Sequence, residues 1–403
     1  MHAETGKAQE QPGAVRSGVD RRALIAGGGA VLAAGVGAGV GAGVVALGRG
    51  RPAASPPPPS APAAAFHGER QAGVTAPQQP ATLLLALDLA PAATSDGRAA
   101  LRSLLGELTR VLAEAAGGTS ADPRLQGGEP AQLSSLVGVG PGLAARLGLN
   151  VPAALADLPA FPGDRLDQAR GGGDLLVQLC AADRWPLTVV AELLGAAVRS
   201  AGGTVRWTQP GFLPRTPAGT TPRNLFGFKD GTANPEATEA KQWVWGPPGP
   251  YEHGTVLVYR RIRMDTAAFA ALPEDRRNLA MGRRLTDGTP LTGMAEHDDP
   301  DIYAKNPDGS YVIPNTAHVR LTSPRLDSGA RMLRRGYSYD DAPDDRGLLF
   351  CAFMRDPEQF TRVQNRLAAK DALNPFLVHT ASAVVYVLPG AREGGVLGEA
   401  LWA

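Results

Sequence analysis

The order of predicted strands and helices repeats once along this chain, and such a duplication leaves few folds open. Strands and helices are distinguished by the spacing of their apolar residues. The first half is predicted to contain strands at 81–88, 174–180 and 204–209 and helices at 96–116 and 186–201. The second half repeats the order, with strands at 254–260, 347–353 and 382–388 and helices at 266–284 and 357–369.

Each half fits a strand-helix-strand-strand-helix-strand unit, which is the ferredoxin-like pattern. We therefore predict an α+β fold of duplicated ferredoxin-like domains, with antiparallel sheets packed together and helices outside. The N-terminal domain is predicted at 66–222 and the C-terminal domain at 223–403. Cys180 and Cys351 occupy matching places in apolar runs of the two halves. We expect two buried thiols, with a disulfide as the alternative in an exported protein.

The composition argues against two classes of function. The 40 basic and 39 acidic residues leave a net charge of +1, and no basic run is present, so nucleic acid is not an expected partner. The 2 cysteines do not form a CxxC pair, which argues against a zinc or redox-dithiol site.

The N-terminal 65 residues are typical of a targeting segment followed by a spacer. Residues 1–50 contain Arg21 and Arg22 followed by a weakly apolar stretch, the pattern of a twin-arginine signal. Residues 51–65 are rich in Pro and Ala and predict an extended linker. We expect export to the periplasm, cell envelope or medium through the twin-arginine machinery. The alternative is a retained leader that tethers the protein to a membrane, although its many glycines make a poor spanning helix.

Three short motifs carry the candidate chemistry. Residues 227–235 (GFKDGTANP) place Asp230 between Gly227 and Gly231, which let the backbone turn sharply or approach a flat ligand. An ordinary surface turn is the alternative, because Asp-Gly is a common turn pair. Residues 332–339 (MLRRGYSY) would place the two arginines on opposite faces of a strand, with a surface pair of charges as the alternative.

The third motif centres on His318, within residues 314–321 (PNTAHVRL), which is predicted to lie at a loop-to-strand edge. A neutral imidazole can bind a metal, although a lone histidine is also a common structural residue. No second ligand lies at zinc spacing, so a metal at His318 would have to bring its own ligands, as a porphyrin does. His379 is the main rival ligand, followed by His297 and His253.

The three motifs together, with residues 66–77 (FHGERQAGVTAP), resemble the dye-decolorising (DyP-type) heme peroxidases, in their exported branch that includes deferrochelatase/peroxidases. The resemblance covers residue 66 to the end. It implies one heme b per chain, with His318 as the proximal iron ligand. It also implies that Asp230 and Arg334 face hydrogen peroxide on the distal side. Because an unperturbed Asp has a pKa of about 3.9, we expect an acidic optimum.

Further heme-binding roles follow from the same resemblance. An acid should accept a hydrogen bond from the non-ligating nitrogen of His318, and we choose Asp371, with Asp356 second. Arg320, two residues past the ligand on a presumed strand, is expected to reach a heme propionate. Phe350 and Phe353 are expected to line the pocket from one strand face. The remaining predicted heme-binding residues belong to the first motif: Gly227, Phe228, Lys229, Gly231 and Thr232.

The implied activity is one-electron oxidation of dye-like, phenolic or porphyrinogen reductants by hydrogen peroxide. One alternative is a deferrochelatase that releases iron from heme for iron uptake. The other is an exported heme-binding or metal-trafficking protein whose partners belong to iron uptake or metal trafficking.

Overall fold

The computed structural model describes residues 65–91, 94–127, 132–217 and 219–402. The predicted signal segment, and the linker up to residue 64, therefore lie outside the described residues. The first half forms every strand and helix expected of it, together with a strand that had been implied only by the ferredoxin-like pattern. Its elements are α1 (Ala72–Thr75), β1 (Ala81–Asp88), α2 (Thr94–Gly117), β2 (Ser134–Val139), α3 (Pro141–Leu147), β3 (Leu175–Ala181), α4 (Arg184–Ser200) and β4 (Thr204–Phe212).

The second half repeats this order with longer connections. Its elements are α5 (Ala237–Trp243), β5 (Thr255–Met264), α6 (Thr266–Ala270), α7 (Glu274–Met281), α8 (His318–Leu321), β6 (Leu333–Arg334), β7 (Tyr337–Ala342), β8 (Asp345–Met354), α9 (Glu358–Lys370) and β9 (Leu377–Val387). The single helix predicted at 266–284 is wrong, since α6 and α7 are separate. Pro273 stands at the N-cap of α7, where a residue without a backbone N–H ends one helix and starts the next.

The sheet order confirms the duplicated ferredoxin-like fold. The first half pairs its strands as β2-β3-β1-β4, and the second half as β7-β8-β5-β9, which is the same topology. Antiparallel contacts join the halves at both edges, where β2 pairs with β9 and β4 pairs with β7. The eight long strands therefore close into a ring of two facing sheets. The domain boundary predicted at residues 222 and 223 falls between β4 and β5.

One hydrophobic cluster fills the space between the two sheets. It takes side chains from both halves, including Cys180 and Cys351, which are buried and free rather than bonded to each other. The outer face of the first sheet is covered by α2 and α4. Within the described residues, no helix has the length and apolar character needed to cross a membrane.

The outer face of the second sheet is covered unevenly, and this unevenness positions the site. At one end, Val256 and Val258 of β5 pack in a cluster with Phe360 of α9. At the other end, Met264 packs with Phe226 and Phe228 of the first motif. Leu348 of β8, which packs against the second of these clusters, lines a cleft that Asp230 and Arg334 also line.

Candidate active site

The first motif forms a tight loop that is anchored by its aromatic residues. Phe226 is 6% and Phe228 is 1% exposed, and both pack in the same apolar cluster. Gly227 has a φ of 86° and Gly231 a φ of 113°, a region that favours glycine. Asp230, between these turns, keeps 42% of its side chain exposed. The loop therefore presents a carboxylate on a rigid backbone.

Asp230 faces Arg334 across a cleft. The nearest atoms, Asp230 Oδ1 and Arg334 Nη2, are 3.9 Å apart. Both residues line a cleft of about 310 Å³, together with Gly231 and Asn234. The alternation predicted for residues 332–339 is confirmed, because Arg334 lines the cleft whereas Arg335 is turned inward and only 9% exposed.

Asn234 fixes this arrangement, and sequence reasoning had not singled it out. Its Nδ2 donates to the carbonyl of Arg334 at 2.9 Å, and its Oδ1 accepts from the N–H of Arg334 at 2.9 Å. One side chain thus pairs with both backbone groups of Arg334 and ties it to the loop of Asp230. Asn234 belongs to the GFKDGTANP motif, but its spacing alone gives no sign of this contact.

His318 begins the short helix α8 and does not lie at a strand edge as predicted. Its Nδ1 is 2.6 Å from Asp371 Oδ2, so the expected hydrogen bond to Asp371 is present. The Asp371 side chain is only 2% exposed, and its other oxygen accepts from the N–H of Leu373 at 2.9 Å. Asp356, the second choice, instead accepts from the N–H of Glu358 near the start of α9.

The charges of Asp371, Arg334 and Asp230 all act on His318. Burial acts to lower the pKa of His318, but the charge and hydrogen bond of Asp371 outweigh it, so the pKa is raised. Arg334 and Asp230 also shift this pKa, in opposite directions, so both lie within electrostatic reach of the imidazole. Because Nδ1 is committed to Asp371, Nε2 is the nitrogen left to bind a metal.

The residues present therefore fit a heme. The imidazole has one free nitrogen and a buried carboxylate behind it, and 32% of the His318 side chain remains exposed. Among the described residues, no group of three or more His, Cys, Asp or Glu side chains could hold a metal ion alone. An iron at His318 would thus need the other ligands that a porphyrin supplies.

Comparison with known proteins places both halves of the chain in one family. The family models for the N-terminal and C-terminal parts of Dyp-type peroxidases match residues 71–213 and 221–392. The chain belongs to the DyP-type peroxidase family. It is therefore an oxidoreductase that acts on peroxide, and its cofactor is heme.

Curated relatives and solved structures of the DyP-type family cover most of this chain. A dye-decolorizing peroxidase of Thermobifida fusca is 38% identical, over 97% of this chain and 99% of its own. A deferrochelatase of Escherichia coli is 33% identical, over 83% of this chain and 86% of its own. The structure of ferric DtpA from Streptomyces lividans has a TM-score of 0.77 at 35% identity, covering 83% of this chain and 95% of DtpA.

Two other predicted heme-binding residues of this DyP-type peroxidase lie apart from the cleft. Phe228 is buried in the apolar cluster that anchors the loop. Lys229 forms an ion pair with Glu296 and packs against Gly288. Gly231 lines the cleft, and Thr232 is half-buried beside it.

The strand argument for Arg320 is wrong, because residues 318–321 are helical. A residue two positions along a helix lies about 200° around the axis, on a different face. Arg320 instead donates to the carbonyl of Ile302, and its guanidinium lies 3.9 Å from the centre of the Tyr311 ring.

The expectation that Phe350 and Phe353 share a face is also wrong. Residues three apart on a strand point to opposite sides of the sheet. Phe350 packs near Phe360 on the outer face, whereas Phe353 is fully buried in the cluster between the sheets. Only Phe350 therefore lies on the sheet face that carries the site.

The rival histidines lack the features of a proximal ligand. His379 Nδ1 accepts a hydrogen bond from Arg260 Nε at 3.2 Å. Burial, and then the charge of Arg260, lower the pKa of His379 to about 3. His297 is 68% exposed at the rim of the cleft, and His253 Nδ1 lies 3.9 Å from the exposed Glu69.

Proposed function

We propose that His318 Nε2 holds the heme iron of this peroxidase, and that Asp230 and Arg334 handle hydrogen peroxide on the opposite face. The observation that carries the proposal is the His318–Asp371 hydrogen bond of 2.6 Å, within electrostatic reach of the Asp230–Arg334 pair. When bound, the heme supplies the iron that passes electrons from a reductant to peroxide.

Asp371 keeps the imidazole of His318 oriented and electron-rich. Its carboxylate accepts the Nδ1 proton, which fixes the tautomer and raises the basicity of Nε2. The Leu373 N–H holds the other carboxylate oxygen, so this partner cannot rotate freely. A ligand of this kind favours oxidised iron.

Asp230 moves a proton between the two oxygens of hydrogen peroxide. As a general base it takes the proton from one oxygen, and as a general acid it returns the proton to the other, so that water can leave. Arg334, with its guanidinium 3.9 Å from this carboxylate, stabilises the negative charge that develops on the leaving oxygen. Asn234 keeps the two side chains at this separation through the backbone of Arg334.

The assignment is tested by matched variants of the full chain. His318→Ala should lose the heme absorption band, whereas His297→Ala at the cleft rim should retain it. Asp230→Asn and Arg334→Leu should keep the heme and lose about 100-fold or more in kcat/KM for peroxide. Full heme binding by His318→Ala, or wild-type turnover by Asp230→Asn, would contradict these roles.

The reductants of this peroxidase are proposed to be dye-like, phenolic or porphyrinogen compounds. The Thermobifida relative supports this class through its name, a dye-decolorizing peroxidase.

A second candidate activity is iron release from heme, which is supported by relatives named deferrochelatase at 33% identity over 83% of the chain. Dye bleaching with peroxide should be compared with release of metal-free porphyrin by the same preparation. Porphyrin release without dye turnover would favour the second activity. A third role is that of a heme-binding or metal-trafficking partner in iron uptake. Because this role does not need turnover of peroxide, the Asp230→Asn variant should retain it.

Export by the twin-arginine route is proposed from residues 1–50, which carry Arg21 and Arg22 ahead of a weakly apolar stretch. The destination would be the periplasm, cell envelope or medium, with the linker at 51–65 released or left as a tether. Replacing both arginines with lysine should leave active peroxidase in the cytoplasm. Unchanged export of that variant would exclude this route.

A further inference from the structure

We propose that Arg366 sets the position of the iron ligand, by tying the helix that carries His318 to the helix that ends at Asp371. Arg366 is then a positioning residue, which acts on the iron through the His318–Asp371 hydrogen bond. This inference rests on the proposed heme site at His318. The three sequence motifs do not contain Arg366, and sequence reasoning gave it no role.

The helix α8 needs a partner from elsewhere in the fold because it is a single turn. It has 4 residues, His318–Leu321, and begins at the iron ligand itself. A helix this short is not stable alone, and its last carbonyls have no partner within the helix. Thr322 donates to the carbonyl of His318 from its N–H at 3.0 Å and from its Oγ1 at 3.1 Å. These contacts are local and move with α8, so they do not fix it relative to α9.

Contacts from α9 and the residues after it hold this turn at both ends. Ahead of His318, the carbonyl of Thr316 accepts from the N–H of Ala372 at 2.9 Å. Behind it, the carbonyl of Leu321 accepts from Arg366 Nε at 3.0 Å. The hydrogen bond from the iron ligand to its buried carboxylate therefore lies between two other contacts with the same helix end. Only the contact with Leu321 is made by a side chain, so it is the one that a substitution can remove.

The guanidinium of Arg366 is itself held in a fixed orientation. Its Nη1 donates to Asp327 Oδ1 at 2.9 Å, and its Nη2 donates to Asp327 Oδ2, so the pair is bidentate. The Asp327 side chain is only 5% exposed, and that of Arg366 is 25% exposed. Solvent therefore screens this ion pair less than a pair at the surface. Because both Nη atoms are fixed on one carboxylate, the direction in which Nε donates is fixed too.

Arg362, one turn earlier on α9, offers a comparison within the same cluster. Its Nε lies 3.6 Å from Asp327 Oδ1, and its side chain is 45% exposed. Among the described residues, Arg362 forms no hydrogen bond with α8. One carboxylate is thus shared by an arginine that reaches the ligand helix and an arginine that does not. A lysine at either position can keep the ion pair with Asp327, but it has no donor at the position of Nε.

Loss of the contact between Arg366 and Leu321 should weaken the hydrogen bond behind the iron ligand. Without it the end of α8 can move away from α9, and the imidazole of His318 moves with the helix. The distance of 2.6 Å from His318 Nδ1 to Asp371 Oδ2 would then lengthen. A weaker hydrogen bond makes Nε2 less basic, so the bond to iron weakens and oxidised iron is favoured less.

The test compares lysine variants of the two arginines in the full chain with heme bound. Arg366→Lys should lower the iron–imidazole stretching frequency, measured by resonance Raman spectroscopy of the ferrous protein, and raise the reduction potential. Asp371→Asn should shift both quantities in the same directions and further. Arg362→Lys should leave both at their wild-type values. If Arg366→Lys binds no heme, Asp327→Asn takes its place, because it loosens the same guanidinium and should give the same shift.

A double variant separates positioning from a role in stability alone. If Arg366 acts through Asp371, adding Arg366→Lys to Asp371→Asn should produce little further shift, because the hydrogen bond is already weakened. Additive shifts, an unchanged stretching frequency in Arg366→Lys, or an equal shift in Arg362→Lys would each overturn the proposal. Failure of the heme site itself gives a different result, since Asp371→Asn would then leave the frequency unchanged or His318→Ala would bind heme normally.

Discussion

At the scale of single residues, the site depends on polar partners that hold the reacting groups in place. Asp371 fixes the imidazole of His318 from behind, and Asn234 fixes the backbone of Arg334. Both act by restricting geometry, and misplacement by even about 1 Å is costly in catalysis.

Replacing Asn234 with Ala should loosen Arg334 relative to Asp230. We expect the heme content to be unchanged and kcat/KM for peroxide to fall by about 10-fold, because both backbone groups of Arg334 lose their partner. Stopped-flow reaction with peroxide measures this directly. Asn306→Ala, in an exposed turn, serves as the control. An unchanged rate in Asn234→Ala would show that Arg334 is held by other contacts.

Replacing Asp371 with Asn should remove the negative charge behind His318 and leave the shape nearly unchanged. A less basic imidazole stabilises oxidised iron less, so the iron reduction potential should rise. Spectroelectrochemical titration of the holoenzyme checks this. Asp356→Asn should leave the potential unchanged, because Asp356 accepts from Glu358 near the start of α9. A rise of equal size in Asp356→Asn would indicate that the wrong carboxylate has been chosen.

At the scale of elements, a buried charge on β5 is paired with carboxylates at the adjoining ends of β7 and β8. Arg261 on β5 is 2% exposed and donates to Asp341 and Asp345 at 2.8 Å each. Burial acts to raise the pKa of Asp345, but the hydrogen bond and charge of Arg261 outweigh it, so the pKa is lowered. A carboxyl whose folded pKa is lowered stabilises the fold above its unfolded value. That contribution is lost as the pH falls through the folded pKa.

Asp345→Asn should therefore lower the free energy of unfolding by about 1–3 kcal/mol at pH 7, since Arg261 keeps only Asp341 as an ionic partner. The difference from wild type should begin to shrink as the pH falls below about 4, where unfolded Asp345 takes up a proton, and should vanish only once the pH is below the lowered pKa of folded Asp345. Urea unfolding at several pH values measures the effect. Asp344→Asn, in the same turn and exposed, should change little. A difference that grows towards acid would refute the sign of this linkage.

At the scale of the whole molecule, the two halves are joined by very few strand pairs. Gly138 and Val139 of β2 pair with Val387 and Tyr386 of β9, and Phe212 of β4 pairs with Ser338 of β7. These joins close the ring and hold the two sheets face to face. The candidate site lies outside the ring, on the second sheet, and the first half also lines its cleft through Gln78, Leu213 and Thr221.

Gly138 is the point where the first join is tightest. A Cβ there would lie 2.6 Å from Val385 Cγ2, so Gly138→Ala should force β2 away from β9. We expect a loss of about 1–3 kcal/mol in the free energy of unfolding. Thermal and urea unfolding would report it. Gly142→Ala on α3, where a Cβ meets nothing within 4 Å, should be neutral or stabilising. Equal stability of the two variants would mean that β2 and β9 can move apart at this position with little loss of free energy.

The sequence alone determined the order of the elements and most of the candidate chemistry. Hydrophobic spacing is a local property, so β1 was predicted at its observed bounds, and α2 and α9 within two residues of theirs. The ordered motifs identified Asp230, His318 and Arg334, which the fold then brings within electrostatic reach of one another. The choice of Asp371 over Asp356 came from the same resemblance, and the predicted contact with His318 is present.

Only the tertiary structure decided how the other side chains point and what they meet. Arg320 was assigned to a strand, but packing made residues 318–321 helical and turned it towards Tyr311. Arg283 stands beside Arg284 in the sequence, and only the fold buries it, to 6% exposure. Periodicity follows from neighbours along the chain, whereas burial and charge pairing depend on residues that are distant in sequence. For that reason the sequence supplied the candidates for the iron ligand and its distal partners, and the fold decided which side chains hold these candidates in place.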